Sequence, residues 1–249
     1  MELPRRDFLK LAAASAALWG APPAVAERRN GMPYRMLGKT GEAVSLLCIG
    51  GSHIGHNVLS DEEAVRLMRT AVDEGVNFFD NAYIYHAGRS ERRMGQAMRD
   101  GYREQVFVMT KHYHPKRTPD YARRQLEASL ERLETDVIDL WQVHQIHKED
   151  DPSLCYANDL MAEMVKARDE GKVRYLGFTG HSRPEWHLEM LDGGFAWDTV
   201  QLPLNPADHH WNSFQMQVLP RLREQDIGVI AMKTLGGTPG KLLGSEVLS

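Results

Sequence analysis

Cysteine is nearly absent from this chain: 249 residues hold only two, Cys48 and Cys155. Two thiols so far apart make neither a disulfide framework nor a CxxC metal or redox pair. Cys48 falls in an apolar stretch and Cys155 follows a proline-containing loop, so both are expected as free thiols. A large excess of one charge is lacking too. Thirty Lys and Arg against 34 Asp and Glu leave a net charge of -4, which supplies no strong field for nucleic acid or an anionic membrane surface. No apolar run reaches the roughly 20 residues of a membrane span. No linker, low-complexity stretch or composition shift divides the chain. What remains is 42% apolar and 26% charged, the composition of an ordinary globular protein, at a length that suits one barrel-sized domain.

The first residues read as a targeting segment. Arg5-Arg6-Asp7-Phe8-Leu9-Lys10 forms a twin-arginine core, followed by a weakly apolar stretch over 11–21 and a small-residue cleavage signal, Ala24-Val25-Ala26. Residues 1–26 are therefore expected to be a signal read by the twin-arginine export machinery, with no stable membrane anchor. Residues 27–249 are expected to form the folded domain. That route moves proteins already folded, often with a cofactor in place, and its product is periplasmic or otherwise extracytoplasmic.

From residue 27 onward, strand and helix patterns alternate. A short hairpin over 34–37 and 43–47 is expected to run into a first inner strand over 44–49. Ser60 and Glu63 make a capping box for a helix with Ala64, Leu67, Met68, Ala71 and Val72 on one face and Gly75 as its stop. Further strands are expected over 77–82, 106–110, 137–143, 175–178, 199–204 and 228–232. Thr118 and Pro119 are expected to cap a helix carrying Leu126, Leu130 and Leu133, and another helix is expected over 158–170. Apolar strands alternating with amphipathic helices predict an α/β fold with a helix-covered parallel sheet. Seven strands are visible where a closed (β/α)8 TIM barrel has eight, so the chain reads as short at its C-terminus by a strand-helix portion.

Polar residues collect where the inner strands end, the rim at which catalytic groups converge in such barrels. Strand two runs into Phe79-Asp80-Asn81-Ala82-Tyr83-Ile84-Tyr85, strand three into Thr110-Lys111, and strand four into Val143-His144. These segments, with Arg89-Ser90-Glu91, Met94-Gly95, the run from Leu133 to His144, Gly177-Phe178-Thr179-Gly180-His181-Ser182 and Val200-Gln201-Leu202-Pro203-Leu204-Asn205, resemble the aldo-keto reductase family in order and spacing across roughly residues 33 to 237. The resemblance implies a nicotinamide-dependent oxidoreductase acting on a small-molecule carbonyl or alcohol, with a catalytic tetrad of Asp80, Tyr85, Lys111 and His144. Tyr85 would be the proton donor, and Tyr83, closer to the strand, a packing residue. Lys111 would lower the pKa of the Tyr85 phenol, Asp80 would hold Lys111 charged, and His144 would bind the carbonyl.

The resemblance further implies cofactor contacts from Asp80, Thr179, His181, Gln201, Met232, Lys233 and Leu235, with NADP expected and NAD possible. The fifth-strand ending Thr179-Gly180-His181 departs from the family's usual Ser-Asn. The seventh-strand run from Met232 through Lys233 lacks the usual stacking aromatic, a place a methionine thioether can fill. Two other readings stand beside this one: a nicotinamide-binding barrel without turnover, and a metal-dependent hydrolase built on the pairs His112 and His114, His144 and His147, and His209 and His210. Trp186, Trp211 and Tyr113 are candidates for an apolar wall near the site. For export, replacing both Arg5 and Arg6 with Lys is expected to retain a folded protein in the cytoplasm, as fractionation would show. Continued export of that variant would point to the general secretory route.

Overall fold

The computed structural model describes residues 27–205 and 212–234. Two sheets organise them. A small antiparallel sheet joins β1 (Glu27–Arg29), β2 (Met32–Met36) and β3 (Ala43–Ser45). A seven-stranded parallel sheet then runs through β4 (Cys48–Gly50), β5 (Phe78–Asp80), β6 (Phe107–His112), β7 (Ile138–Ile146), β8 (Val173–Gly180), β9 (Thr199–Pro203) and β10 (Gly228–Met232). Its spatial order is the chain order, β10-β9-β8-β7-β6-β5-β4. Gln201 on β9 donates to the carboxylate of Asp80 on β5 at 2.8 Å. Four strand spacings separate them in the sheet, about 19 Å if it were flat. The sheet is therefore curled around a lumen, in the manner of a (β/α)8 barrel.

The helices cover the outside. They are α1 (Gly51–Ile54), α2 (Asp61–Asp73), α3 (Arg89–Ala97), α4 (Pro119–Leu133), α5 (Asp151–Ala157), α6 (Leu160–Asp169), α7 (Pro184–Asp192), α8 (Phe214–Gln217) and α9 (Leu219–Glu224). Helix α2 starts as expected: the Glu63 N–H donates to Ser60 Oγ at 3.1 Å and the Ser60 N–H to Glu63 Oε2 at 2.9 Å. Its face is narrower than expected, since Ala64, Met68 and Val72 are buried while Leu67 is exposed. Thr118 precedes α4 in an extended conformation, but its side chain accepts no helix N–H, so Pro119 alone marks that start. The helix expected over 158–170 is α6, and α5 is an additional helix ahead of it, with Asp159 in a left-handed conformation between the two. None of the described helices is long and apolar enough to cross a membrane.

The expected first inner strand over 44–49 is divided. Ala43–Ser45 belongs to the small sheet and Cys48–Gly50 opens the parallel one. Ser45 and Asn77 make the break: the Ser45 N–H donates to Asn77 Oδ1 at 2.7 Å, and the Asn77 N–H to Ser45 Oγ at 3.1 Å. Leu46 and Leu47 cross between the sheets and are exposed. Both thiols are free, Cys48 exposed and Cys155 buried.

Alternation along each strand sorts side chains into two cores. Outward residues such as Val108, Trp141, Val143, Phe178 and Val200 pack against Met68, Met94, Leu126, Met164 and Leu222 of the helices. Inward residues Phe78, Phe107, Met109, Leu140 and Ile230 meet Leu37, just after β2, and Val44 of β3, which floor the lumen with apolar side chains. Gly38 seats that floor against the barrel. It has a positive φ of 52°, and a Cβ there would overlap the backbone of Asp226 and Gly228. Gly41 has a similar φ, 76°, with open space around it. In urea melts, Gly38→Ala is expected to lose more than the roughly 1 kcal/mol typical of an unfavourable φ, whereas Gly41→Ala should lose about that much. Equal losses would show that the close approach to Gly228 is not what Gly38 provides.

Candidate active site

The lumen's apolar floor gives way to polar side chains toward the C-terminal ends of the strands. Lys111 on β6 is buried at 2% exposure. Its ammonium pairs with Asp80 Oδ1 at the end of β5 and donates to the Asn81 carbonyl at 2.7 Å. Burial pulls the Lys111 pKa down, but Asp80 first, then Tyr85, more than offset it, so the amine ends above its ordinary value and stays charged. The second Asp80 oxygen accepts from Gln201 Nε2.

Tyr85 reaches this cluster through an irregular turn. The Tyr83 N–H donates to the Lys111 carbonyl at 3.0 Å and extends the edge of β6. The Tyr83 ring instead meets the Arg132 guanidinium, 4.4 Å from its centroid, and Arg132 also bonds the Tyr83 carbonyl at 3.2 Å. Two residues on, the Tyr85 ring centroid lies 5.4 Å from Lys111 Nζ. His86 and Ala87 then take left-handed conformations, with φ of 51° and 54°, which non-glycine residues adopt at a cost of roughly 1 to 2 kcal/mol. His86 Nε2 sits 2.8 Å from the Ser52 carbonyl and pins the turn. The structure therefore separates the two tyrosines: Tyr83 against Arg132, Tyr85 against Lys111.

His144 on β7 stands edge-on to Tyr85, ring centroids 5.8 Å apart at 89°. Burial, then the charges of Lys111, Arg117, His181 and His112, holds its pKa well below the ordinary histidine value, so the ring is neutral at neutral pH. The Tyr85 phenol departs from expectation. Lys111 is the largest influence and lowers its pKa, but burial and the Asp80 carboxylate together outweigh that pull, and the phenol ends above its ordinary value. The reason is electrostatic: Lys111 carries its counter-ion with it, so the phenol feels an ion pair more than a bare cation.

The residues expected at the nicotinamide divide by position. Thr179 is buried on β8 beside Gln201 in the strand register. Gln201 Oε1 is buried without a partner while its amide nitrogen is engaged by Asp80. An orphaned acceptor suits the N–H of a carboxamide, so these residues fit a nicotinamide. Met232 and Lys233 stand half-buried at the end of β10, with the Lys233 amine pushed down by burial. His181 lies at the rim; packing around it, then Lys233 and His147, lowers its pKa. Leu235 lies outside the described residues, as do Trp211, His209 and His210.

Among the described residues the histidine pairs do not converge. His112 packs outward on Trp141, ring centroids 4.6 Å apart, and His114 stacks on Tyr121. Successive residues of a strand face opposite ways, which sends His112 outward while Lys111 and His144 face the lumen. Among the described residues no three His, Cys, Asp or Glu side chains gather to hold a metal.

Two residues around the site, Gln142 and Glu91, lie in segments the sequence marks, but the pattern there assigns them no role. Gln142 faces the lumen two positions before His144, a parity the sequence does carry, and its Oε1 is buried without a partner. Glu91, fully buried, accepts from Thr110 at 2.7 Å and Arg132 at 3.1 Å. It thereby ties α3 and α4 to the strand of Lys111. Its burial has no signal in the sequence.

Comparison with known proteins fits this geometry. The model of the aldo/keto reductase family matches residues 46–247. The chain is 33% identical over 240 residues to the oxidoreductase YrpG of Bacillus subtilis, covering 87% of this chain and 70% of that one. It is 33% identical over 188 residues to an aldo-keto reductase of Fusarium vanettenii, covering 60% of this chain and about half, 49%, of that relative's length. A solved aldo-keto reductase from Pseudomonas aeruginosa superposes with a TM-score of 0.70 at 29% identity, over 82% of this chain and 78% of its own. The chain belongs to the aldo-keto reductase family, whose members are nicotinamide-dependent oxidoreductases built on a (β/α)8 barrel.

The opposing influences on Tyr85 can be separated. Lys111→Met removes the largest downward pull, so the phenol should titrate higher. Asp80→Asn removes an upward push and leaves Lys111 unneutralised, so the phenol should titrate lower. Ultraviolet difference titration against the corresponding Tyr85→Phe variants reads both. Shifts in the same direction would refute this electrostatic ordering.

Proposed function

We propose that this chain reduces a small-molecule carbonyl to an alcohol, or runs the reverse oxidation, with a nicotinamide dinucleotide. The observation that carries this reading is the Lys111 ammonium set between the Asp80 carboxylate and the Tyr85 ring, with neutral His144 edge-on to Tyr85. When bound, the nicotinamide supplies or accepts the hydride. Gln201 Oε1 and the Thr179 hydroxyl would hold its carboxamide, Met232 would offer the ring a thioether, and Lys233 would offset phosphate charge, with His181 as a further contact at the rim. We propose NADP as the cofactor, with NAD the other form the site would accept. The support for NADP is the prevailing habit of the family.

The proton steps belong to Tyr85. Its phenol is protonated through the neutral range, the state that reduction needs, and it delivers that proton to the carbonyl oxygen as charge builds there. Lys111 stabilises the phenolate left behind. His144, neutral, donates an N–H to the same oxygen and orients the carbonyl without adding a charge. In oxidation the phenolate takes the alcohol proton. We propose further that this chemistry takes place outside the cytoplasm, supported by Arg5, Arg6 and Ala24-Val25-Ala26 in the sequence.

Tyr85→Phe is expected to lower kcat for carbonyl reduction by roughly a hundredfold to ten-thousandfold, with nucleotide affinity measured by fluorescence titration nearly unchanged. Tyr83→Phe should stay close to wild type. Because the phenol sits above its ordinary pKa, reduction should be level through neutral pH and alcohol oxidation should rise toward alkaline pH. Near-wild-type turnover by Tyr85→Phe would remove Tyr85 from the role.

A further inference from the structure

At His144 the hydrogen-bond ladder of the barrel breaks. On the β8 side, Val143 pairs with Phe178, but the next pair is Ile146 with Gly180. Two residues of β7, His144 and Gln145, therefore lie opposite one residue of β8, as in a β-bulge. On the β6 side the register ends at Val143 with His112. The backbone at His144 thus falls where the flanking ladders are interrupted, and bulges of this kind re-aim a side chain.

One side chain grips this segment. Arg117, in the loop after β6, is 1% exposed and has a positive φ of 50°. Its Nη1 donates to the His144 carbonyl and its Nη2 to the Gln145 carbonyl at 2.7 Å. Its Nε donates to Asp151 Oδ1 at 3.0 Å. Asp151, at the start of α5 and 1% exposed, balances the charge. Its other oxygen accepts the N–H groups of His147 and Lys148 at 2.9 and 3.0 Å. The Arg117 guanidinium also lies 5.1 Å from the centroid of the Tyr113 ring, which stands 6.5 Å from the His144 ring. A rigid planar fork with donors on both edges can hold two successive carbonyls and a carboxylate together, which a lysine cannot reproduce.

We propose that the buried Arg117–Asp151 pair is a positioning device for His144. It fastens the bulge where the ladder is interrupted and so sets the height and direction of the imidazole against Tyr85. The pair does not touch substrate; it acts through His144. The catalytic consequence rests on the proposed carbonyl reduction, while the positioning itself does not.

Removing one member alone leaves a buried charge unpaired and endangers folding. The informative variant is therefore the double replacement Arg117→Met with Asp151→Leu, which removes both charges, beside the conservative Arg117→Lys. Circular dichroism melts and nucleotide titration establish that each is folded. With carbon-labelled histidine, the His144 ring signal, assigned by its loss in His144→Ala, should move or broaden in the double variant while the buried His187 signal stays in place. For carbonyl reduction, the double variant should lose on the order of a hundredfold in kcat, with nucleotide affinity nearly unchanged, and Arg117→Lys should recover only part of the loss. In a His144→Ala background the same double replacement should cost less than about twofold, because its effect passes through His144. An unmoved His144 signal would overturn the positioning. Equal losses in both backgrounds would overturn the route through His144. If the wild-type chain reduced no carbonyl while the His144 signal still moved, the proposed reaction would fall and the positioning would stand.

Discussion

An ammonium buried in the lumen of a barrel loses most of its hydration and persists as a cation only if a counter-charge and further acceptors replace the water. In this chain Asp80 supplies the counter-charge to Lys111, and the Asn81 carbonyl supplies an acceptor. The rest of the site follows from that pair. Asp80 must end β5 beside β6, which the parallel register provides. Its second oxygen, held by Gln201 from β9, fixes its rotation and pins the far wall of the curled sheet. Tyr85 then meets a cation whose field is partly cancelled, so the phenol stays protonated at rest while a positive group remains beside it for the moment it ionises.

The surroundings of the pair are graded. Below it, Leu37, Val44, Phe78, Phe107, Met109, Leu140 and Ile230 exclude water from the lumen, and a low dielectric strengthens each charge interaction above. At its own level, Gly177 keeps space clear, since a Cβ there would press on Thr199 and Gln142. Outside the strands, Glu91 and Arg132 hold Thr110 and Tyr83, so that Lys111 and Tyr85 face inward from elements fixed from behind.

Much of this was legible in the sequence because inner strands of a parallel barrel are continuous apolar runs that end in polar residues. Gly228–Met232 forms the strand its pattern predicts, and Asp80, Lys111 and His144 each sit where an apolar run stops. The start of the barrel was not legible. Leu46 and Leu47 look like strand interior, yet they are an exposed crossing between two sheets. Helix α5 escaped notice because the loop ahead of it, rich in Asp and Glu, shows little apolar periodicity. Arg117 and Asp151 were unreadable for a different reason. They lie 34 residues apart, one in a polar loop and one at the polar start of α5, where charged residues are ordinarily solvated, and only the fold reveals that their partners are each other and the backbone at a bulge. The direction of the Tyr85 pKa also required the structure, since the sequence names Lys111 and Asp80 but not how far one cancels the other.

The dependence on a buried cation can be tested by supplying that cation from solution. In Lys111→Ala the lost side chain leaves room beside Tyr85 for a small primary ammonium ion. The measurement is the rate of carbonyl reduction by this variant, folded and binding nucleotide, as alkylammonium salts are added across a pH series. The account predicts that activity is restored in proportion to the protonated amine, and that Lys111→Ala carrying Asp80→Asn responds far less because the counter-charge is gone. Rescue that follows the neutral amine, or equal rescue with and without Asp80, would contradict it.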